Sequence, residues 1–186
     1  YWRLEQGMAA AMGLSLAVGV AVVQALESLG YPGVELKWPN DLYYQGRKLA
    51  GILVEMSGSA GASCNLVIGV GLNLAMPARE GERIDQAWSE LRHIQPELVD
   101  RNLLAARMLG HLQQAMLTFE QQGLSHFVDD WNRLDHFAGR PVRLLMGEQE
   151  IRGIARGIDD RGALRLETSE GIKFYLGGEI SLRRGD

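Results

Sequence analysis

Cysteine is almost absent from this sequence, and its scarcity excludes two kinds of site. Cys64 is the only cysteine among 186 residues. One thiol cannot form an internal disulfide, and it cannot supply a zinc site built from several thiolates. The four histidines have no pair at the spacing that would place two imidazoles on one helix face. We therefore expect a cytoplasmic protein that builds no metal site from its own side chains.

Long runs of like charge are also missing. The chain has 19 Lys and Arg against 23 Asp and Glu, for a net charge of −4. Such a balance gives no general electrostatic attraction to nucleic acid or to an anionic membrane. A specific site for one charged ligand is still compatible with it.

The segment from Met8 to Leu26 is 19 residues long and contains no charged residue. A transmembrane helix needs about 20 apolar residues. However, the segment is rich in Ala and Gly, contains Ser15 and Gln24, and continues into the amphipathic sequence LESLG. These features favour a helix packed closely on a sheet in a soluble domain, without contact to a membrane.

Strand patterns follow that helix. VELKW, DLYY, KLAGILVEM and NLVIGVGLNLAM each predict a strand, and DLYY pairs with KLAGILVEM as a hairpin across residues 45–47. YWRL reads as the end of another strand. Asp100 predicts the N-cap of a helix that Gly123 ends, and Ser125 predicts the cap of the next helix. The pattern indicates an α+β fold in which a mixed sheet is packed with helices.

The pattern changes after Arg140. PVRLLM, QEIRGIARGI, GALRLE, IKFYL and EISLRR are short β runs separated by turn residues. Evenly spaced short strands favour a small SH3-like barrel, which closes its own edges. We predict two domains, at residues 1–137 and 138–186.

Lys48 stands at the head of a strand that otherwise looks buried. Strict alternation in KLAGILVEM places Lys48 on one face with Ala50 and Ile52, opposite Gly51 and Leu53. Lysine is rarely buried without a partner. Either the ammonium stays in water after the turn, or it points into a pocket and meets a carboxylate or phosphate.

Glycines and polar residues cluster at the ends of these strands. Gly51, Gly69 and Gly71 suggest a flat slot, since the third glycine and the following helix of a dinucleotide site are missing. Amide, carboxylate and ammonium groups at the edge of an apolar sheet suit a ligand that is partly apolar and partly anionic. The residues that bring these groups are Lys37, Asn40, Asp41, Lys48 and Asn73.

KWPNDLYYQGRKLAGILVEM, followed by VIGVGLNLAM, resembles the catalytic core of biotin protein ligases, in particular the bifunctional bacterial type. The similarity runs on to GRPVRLL and GGEISLR, near the end of the chain. It implies a fold like that of class II aminoacyl-tRNA synthetases, followed by the SH3-like domain. Residues 1–137 would then be the C-terminal part of the catalytic domain.

The resemblance implies an enzyme that condenses biotin with ATP, accompanied by Mg²⁺, to give biotinoyl-5′-AMP. The biotinyl group then passes to a lysine of the biotin carboxyl carrier protein. Lys48 would be catalytic and would contact biotin and the phosphates, and the charged segment from Met76 to Trp88 would order over the adenine. The further residues implied are Gly51, Leu53, Gly69 and Leu72 for biotin, and Lys37, Asn40, Asp41, Asn73 and Arg183 for ATP or the adenylate.

Three parts of the family pattern are not among these 186 residues. They are the Gly- and Arg-rich segment that closes over the ligand in the family, an earlier segment that hydrogen-bonds biotin, and an N-terminal winged helix-turn-helix. We therefore expect this chain alone to bind biotin and ATP weakly. Contact with DNA, and any regulation of transcription, would need the winged helix of a longer parent protein.

Two alternatives remain open from the sequence. A lipoate ligase or transferase has a similar sheet and a comparable lysine, but acts on a linear acyl chain. A regulatory module would bind the adenylate as a co-repressor and form a homodimer along the exposed strand edge at residues 54–62.

Overall fold

The fold was analysed in a computed structural model, which describes residues 1–58, 63–77, 81, 84, 86–177 and 180–185. Three α-helices lie in this part of the chain, and they are α1 Leu14–Ser28, α2 Arg101–Gln122 and α3 Val128–Leu134. The first five strands are β1 Trp2–Leu4, β2 Val34–Lys37, β3 Asp41–Tyr44, β4 Arg47–Gly58 and β5 Cys64–Leu72. The last five strands are β6 Pro141–Met146, β7 Gln149–Ile158, β8 Leu164–Thr168, β9 Gly171–Tyr175 and β10 Ile180–Arg184.

The strands form two five-stranded sheets, with orders β1-β5-β4-β3-β2 and β10-β6-β7-β8-β9. The α+β class is confirmed. Every described ladder is antiparallel, whereas the sequence predicted a mixed sheet. In the β2–β3, β3–β4 and β6–β7 pairs, a short connection returns the chain beside the strand it has just left, and such a connection gives antiparallel pairing. Parallel pairing occurs in the isolated bridges Leu36–Asp135 and Lys48–Trp88. No ladder between β9 and β10 appears in the described residues, so barrel closure and the domain boundary at residue 137 stay predictions.

The apolar segment at residues 8–26 is not one continuous helix. A 3-10 helix covers Met8–Ala11, and Gly13, at φ 77°, turns the chain before α1 begins at Leu14. Helix α1 then packs between the first sheet and α2, so it is apolar on nearly every side. Within the described ranges, no helix is both long and apolar enough to cross a membrane.

The predicted start and end of α2 are confirmed. The Asp100 carboxylate accepts hydrogen bonds from the backbone of Asn102 and Leu103, and Gly123 follows the last turn. The prediction for Ser125 is wrong: its hydroxyl donates to the Gln122 carbonyl inside a 3-10 helix at Leu124–Phe127. The serine therefore continues the turn that ends α2, and α3 begins three residues later.

Candidate functional site

The register of the first sheet places several predicted site residues on one face. Asp41 lies opposite Gly51, Gly51 opposite Gly71, and Leu53 opposite Gly69. Residues that pair across a sheet carry their side chains on the same face. Helix α1 covers the other face, which carries Ala50 and Ile52. The first face is called the open face below, and Leu53 is 61% exposed on it.

A β-bulge decides where Lys48 points. The pairing of β3 with β4 shifts between Leu42, which lies opposite Ala50, and Tyr43, which lies opposite Lys48. Leu49 is therefore an extra residue on β4. A bulge of this kind reverses the alternation of side chains on either side of it.

The predicted orientation of Lys48 is consequently wrong. A Cβ built on Gly51 would lie 3.6 Å from Lys48 Nζ and 3.7 Å from Asp41 Oδ1. Lys48 thus shares the open face with Gly51, and it does not share the face of Ala50 and Ile52. The prediction assumed strict alternation along β4. One inserted residue, Leu49, moves the side chains that precede it in β4 to the opposite face of the sheet.

Asp41 forms ion pairs with two lysines at once. Its Oδ1 lies 2.6 Å from Lys48 Nζ, and its Oδ2 lies 3.0 Å from Lys37 Nζ. The Lys37 side chain is 6% exposed, whereas that of Lys48 is 29% exposed. The cluster has a net positive charge, and Lys48 is its member nearest to solvent. It can therefore accept an anionic group at the edge of the glycine-lined surface.

Burial changes the titration of this cluster. Desolvation lowers the pKa of Lys37, and the Asp41 carboxylate partly offsets that effect. Burial also raises the pKa of Tyr43, and Asp41 adds to the increase. The Lys37 ammonium lies 5.2 Å from the centre of the Tyr43 ring, which is the distance of a cation–π contact.

Arg183 comes from the second sheet and reaches the same region. Its charge adds to the lowering of the Lys37 pKa and offsets part of the increase in the Tyr43 pKa. These three residues line a cleft of about 750 Å³ between the two sheets, with His136 on its wall. Two residues that are 146 positions apart therefore combine their positive charges in one cleft.

The two asparagines hold the strands together with their side-chain amides. Asn40 Nδ2 donates to the Ile52 carbonyl at 2.8 Å, which extends the pairing of β3 and β4 beyond Asp41, the first residue of β3. Asn73 Nδ2 donates to the Ser89 carbonyl at 2.9 Å. Both lie at strand ends close to the cluster, as predicted, but each also has a structural bond.

Leu72 is separated from the other predicted biotin residues. It pairs with Ala50 and packs against the core on the α1 side of the sheet. Leu53 and Gly69 lie on the open face. The assignment of Leu72 followed its position in the motif, and position in a motif does not fix the face of a strand.

Trp88 was not predicted as an individual site residue. Lys48 N donates to the Ala87 carbonyl at 3.0 Å, and Ser89 N donates to the Lys48 carbonyl at 2.7 Å. This bridge places Trp88 beside Lys48, on the same face of the sheet. The charged, irregular sequence around Trp88 gave no strand signal. Residues 78–80, 82, 83 and 85 of the predicted loop at 76–88 lie outside the described residues.

A metal site was not predicted from the sequence. Among the described side chains, no group of three or more His, Cys, Asp or Glu residues could hold a metal ion. The two oxygens of Asp41 are already bound to lysines.

Two family models match the chain. The biotin/lipoate A/B protein ligase family matches residues 3–73, and the biotin protein ligase C-terminal domain matches residues 137–183. A biotin protein ligase from Aquifex aeolicus, solved in complex with biotin and ATP, has a TM-score of 0.81 at 31% identity. That similarity covers 94% of this chain and 72% of the Aquifex chain.

Relatives with established names agree with these matches. The bifunctional ligase/repressor BirA of Salmonella typhimurium is 51% identical over 100% of this chain and 58% of its own length. The chain thus spans little more than half of that relative. The biotin--[acetyl-CoA-carboxylase] ligase of Paracoccus denitrificans is 30% identical over 96% of this chain and 76% of its own length. The chain therefore belongs to the biotin protein ligase family.

Proposed function

We propose that this chain is the main part of an enzyme that activates biotin with ATP to biotinoyl-5′-AMP. The enzyme then transfers biotin to a lysine of the biotin carboxyl carrier protein. The observation that carries the proposal is the Lys48 ammonium, 2.6 Å from Asp41 at the edge of a glycine-lined face, in a chain of this family. The Aquifex relative, solved with biotin and ATP, supports the choice of substrates.

The open face suits the fused rings of biotin. Among the described residues, and apart from the neighbours along the chain, a Cβ added at Gly69 would meet no atom closer than 3.8 Å, and one at Gly71 none closer than 3.9 Å. The rings would lie against this surface and cover Leu53, which is 61% exposed. Burying apolar surface of this kind contributes roughly 25 cal/mol per Å².

Lys48 would act on the charge that develops in the first step. A biotin carboxylate oxygen attacks the α-phosphorus of ATP, a new O–P bond forms, and pyrophosphate leaves. The ammonium stabilises the negative charge on the phosphoryl oxygens, and the ion pair with Asp41 fixes its position beforehand. Lys37 and Arg183 would contact phosphates, while Asn40, Asp41 and Asn73 would position the adenylate.

The second step transfers the acyl group. A neutral lysine amine of the carrier attacks the carbonyl carbon of the adenylate, an amide bond forms, and AMP leaves with its electron pair as the amine loses a proton. Mg²⁺ would arrive with the nucleotide phosphates, because the described residues form no carboxylate cage for it.

Removing the Lys48 ammonium tests the proposal. We expect Lys48→Ala in the full-length protein to reduce biotin-dependent pyrophosphate release at least about 100-fold, the usual range for a lost charge-stabilising donor. Lys173→Ala, which removes an exposed lysine paired with Glu170, is the matched control and should leave the rate unchanged. Pyrophosphate release at the normal rate in Lys48→Ala would contradict the assigned role.

A lipoate ligase is the second candidate, because one matching family model covers both biotin and lipoate ligases. The match of the biotin protein ligase C-terminal domain favours biotin. Competition between biotin and lipoate for adenylate formation separates the two. Preference for lipoate would reverse the assignment.

Dimerisation along β4 is a further part of the proposal. The β3 ladder ends opposite Gly51, so residues 53–58 of β4 have only β5 as a described strand partner. Such an edge can pair with another strand. We expect the adenylate to increase the sedimentation coefficient of the full-length protein. Repression of transcription, as in the name of the Salmonella relative, would additionally need a DNA-binding domain.

A further inference from the structure

A histidine lies directly behind Trp88. The indole of Trp88 and the imidazole of His93 are stacked, with ring centres 5.9 Å apart and planes inclined by 26°. The indole is partly exposed, and its Nε1 donates to the Gly81 carbonyl at 3.2 Å. A Cβ on Gly81 would lie 2.2 Å from the indole, so backbone fits against this edge of the ring. The indole is thus held at one face and one edge.

The imidazole is itself fixed by two neighbours. His93 Nδ1 lies 3.1 Å from Ser89 Oγ and 3.4 Å from the backbone nitrogen of Glu90, which donates to it. The neutral ring therefore carries its proton on Nε2. The Glu90 carboxylate accepts in return from the His93 backbone, and it also accepts from the backbone of Met76. This reciprocal capping box sets the orientation of the ring that supports Trp88.

The same segment is attached to Lys48. Backbone hydrogen bonds on both sides of Trp88 join residues 87 and 89 to Lys48, and Asn73 accepts from the Leu91 backbone. The backbone of Trp88 cannot move away from Lys48 unless these bonds break. The backbone bonds leave the indole free to rotate, and that rotation is restricted by the imidazole at one face and by the hydrogen bond to the Gly81 carbonyl at one edge.

We propose that His93 is a positioning residue, which holds the indole of Trp88 in the orientation needed to stack on the purine ring of ATP. This inference rests on the proposed function, since it takes ATP as the substrate beside Lys48. His93 does not touch the nucleotide. It removes in advance the rotational freedom that Trp88 would otherwise lose on binding.

Two substitutions of His93 distinguish the effect of the supporting ring from the effect of its hydrogen bonds. His93→Ala removes the supporting ring, whereas His93→Phe keeps an aromatic ring of similar size and loses the hydrogen bonds. His126→Ala is the control, because His126 is an exposed histidine whose imidazole contacts the side chains of Gln122 and Phe127. Each variant is titrated with ATP and, separately, with tripolyphosphate, which has no purine.

The expected result is a selective loss of purine binding. His93→Ala should weaken ATP binding about three- to tenfold, the range for one aromatic pair, with tripolyphosphate binding unchanged. His93→Phe should stay within about twofold of the natural protein, as should His126→Ala. In turnover, KM for ATP should rise in His93→Ala while kcat stays within about twofold.

Three results would overturn the inference. The first is that the natural protein binds ATP and tripolyphosphate with equal affinity. The second is that His93→Ala keeps the full affinity for ATP. The third is that His93→Phe binds ATP as weakly as His93→Ala although the NMR resonance of the Trp88 indole is the same as in the natural protein. Failure of the proposed function would give a different result. The natural protein would then release no pyrophosphate in response to biotin, while His93→Ala would still weaken purine binding.

Discussion

At the scale of single residues, the arrangement depends on Asp41. One carboxylate holds two ammonium groups, and it is itself nearly buried. Without it, Lys37 would keep a charge inside the protein with no opposite charge in contact, and Lys48 would lose the anchor that fixes its position. Asp41 thus has a structural role in addition to any contact with the adenylate.

Replacing Asp41 should therefore destabilise the protein. We expect Asp41→Asn to lower the free energy of unfolding by about 3 kcal/mol, since breaking a buried ion pair leaves an uncompensated charge. Asp130→Asn, which removes an exposed pair with Arg133, should change it by less than about 0.5 kcal/mol. Urea denaturation measures both. Adding Lys37→Met to Asp41→Asn should restore part of the loss, and no recovery would argue against this explanation.

At the scale of elements, the bulge in β4 and the glycines of β4 and β5 shape the site together. The bulge turns Lys48 to the open face, and the glycines place no side chains on that face next to Lys48. Glycine within a strand costs stability, so the three glycines of the open face, Gly51, Gly69 and Gly71, favour a surface kept free for a ligand.

Gly51→Ala should weaken biotin binding without changing the stability of the fold. Its Cβ would lie 3.5 Å from Lys48 Cε, which is an ordinary contact, so the free energy of unfolding should change by less than about 0.5 kcal/mol. Because the methyl group would occupy the proposed biotin surface, affinity for biotin measured by calorimetry should fall roughly tenfold.

The control for that substitution lies in α2. Outside its own helix turn, no atom of the described residues lies within 4 Å of a Cβ added at Gly110. Gly110→Ala should raise the free energy of unfolding by about 1 kcal/mol through helix propensity and leave biotin affinity unchanged. Normal biotin binding by Gly51→Ala would show that the open face is not the biotin surface.

At the scale of the whole molecule, residues 135–140 join the two sheets. His136 N donates to the Leu36 carbonyl at 2.7 Å, and His136 Nδ1 lies 2.7 Å from Glu35 Oε2. Trp38 Nε1 donates to the Gly162 carbonyl across the same junction, at 3.1 Å. These contacts hold the second sheet where Arg183 can act on Lys37.

Asp135 makes this junction sensitive to pH. Burial raises its pKa to about 6, and nearby Glu35 adds to the increase, although the Phe137 backbone donates to Oδ1. Its Oδ2 is buried and has no hydrogen-bond partner within the described part of the chain. The pKa in the folded state lies above the ordinary value of 3.8, so the ionised form is penalised above pH 6 and the penalty disappears as pH falls towards 4.

Asp135→Asn should remove that penalty. At about 1.4 kcal/mol for each pKa unit, the variant should be more stable than the natural protein by roughly 2–3 kcal/mol at pH 7.5. The difference should shrink as pH falls from about 7 to 4. Thermal unfolding of both proteins across this range provides the measurement. A difference that does not vary with pH would show that the pKa of Asp135 is the same in the folded and the unfolded protein.

The sequence by itself determined the features that depend on neighbours along the chain. The caps of α2, the hairpin between β3 and β4, and the five short strands of the second sheet each follow from local backbone preferences. The motifs that identify the family are also local. Only the tertiary structure decided that Lys48 faces the glycines, that Leu72 does not, and that Trp88 lies beside Lys48. Register, bulges and contacts between distant segments depend on how strands pair, and alternation along one strand does not contain that information.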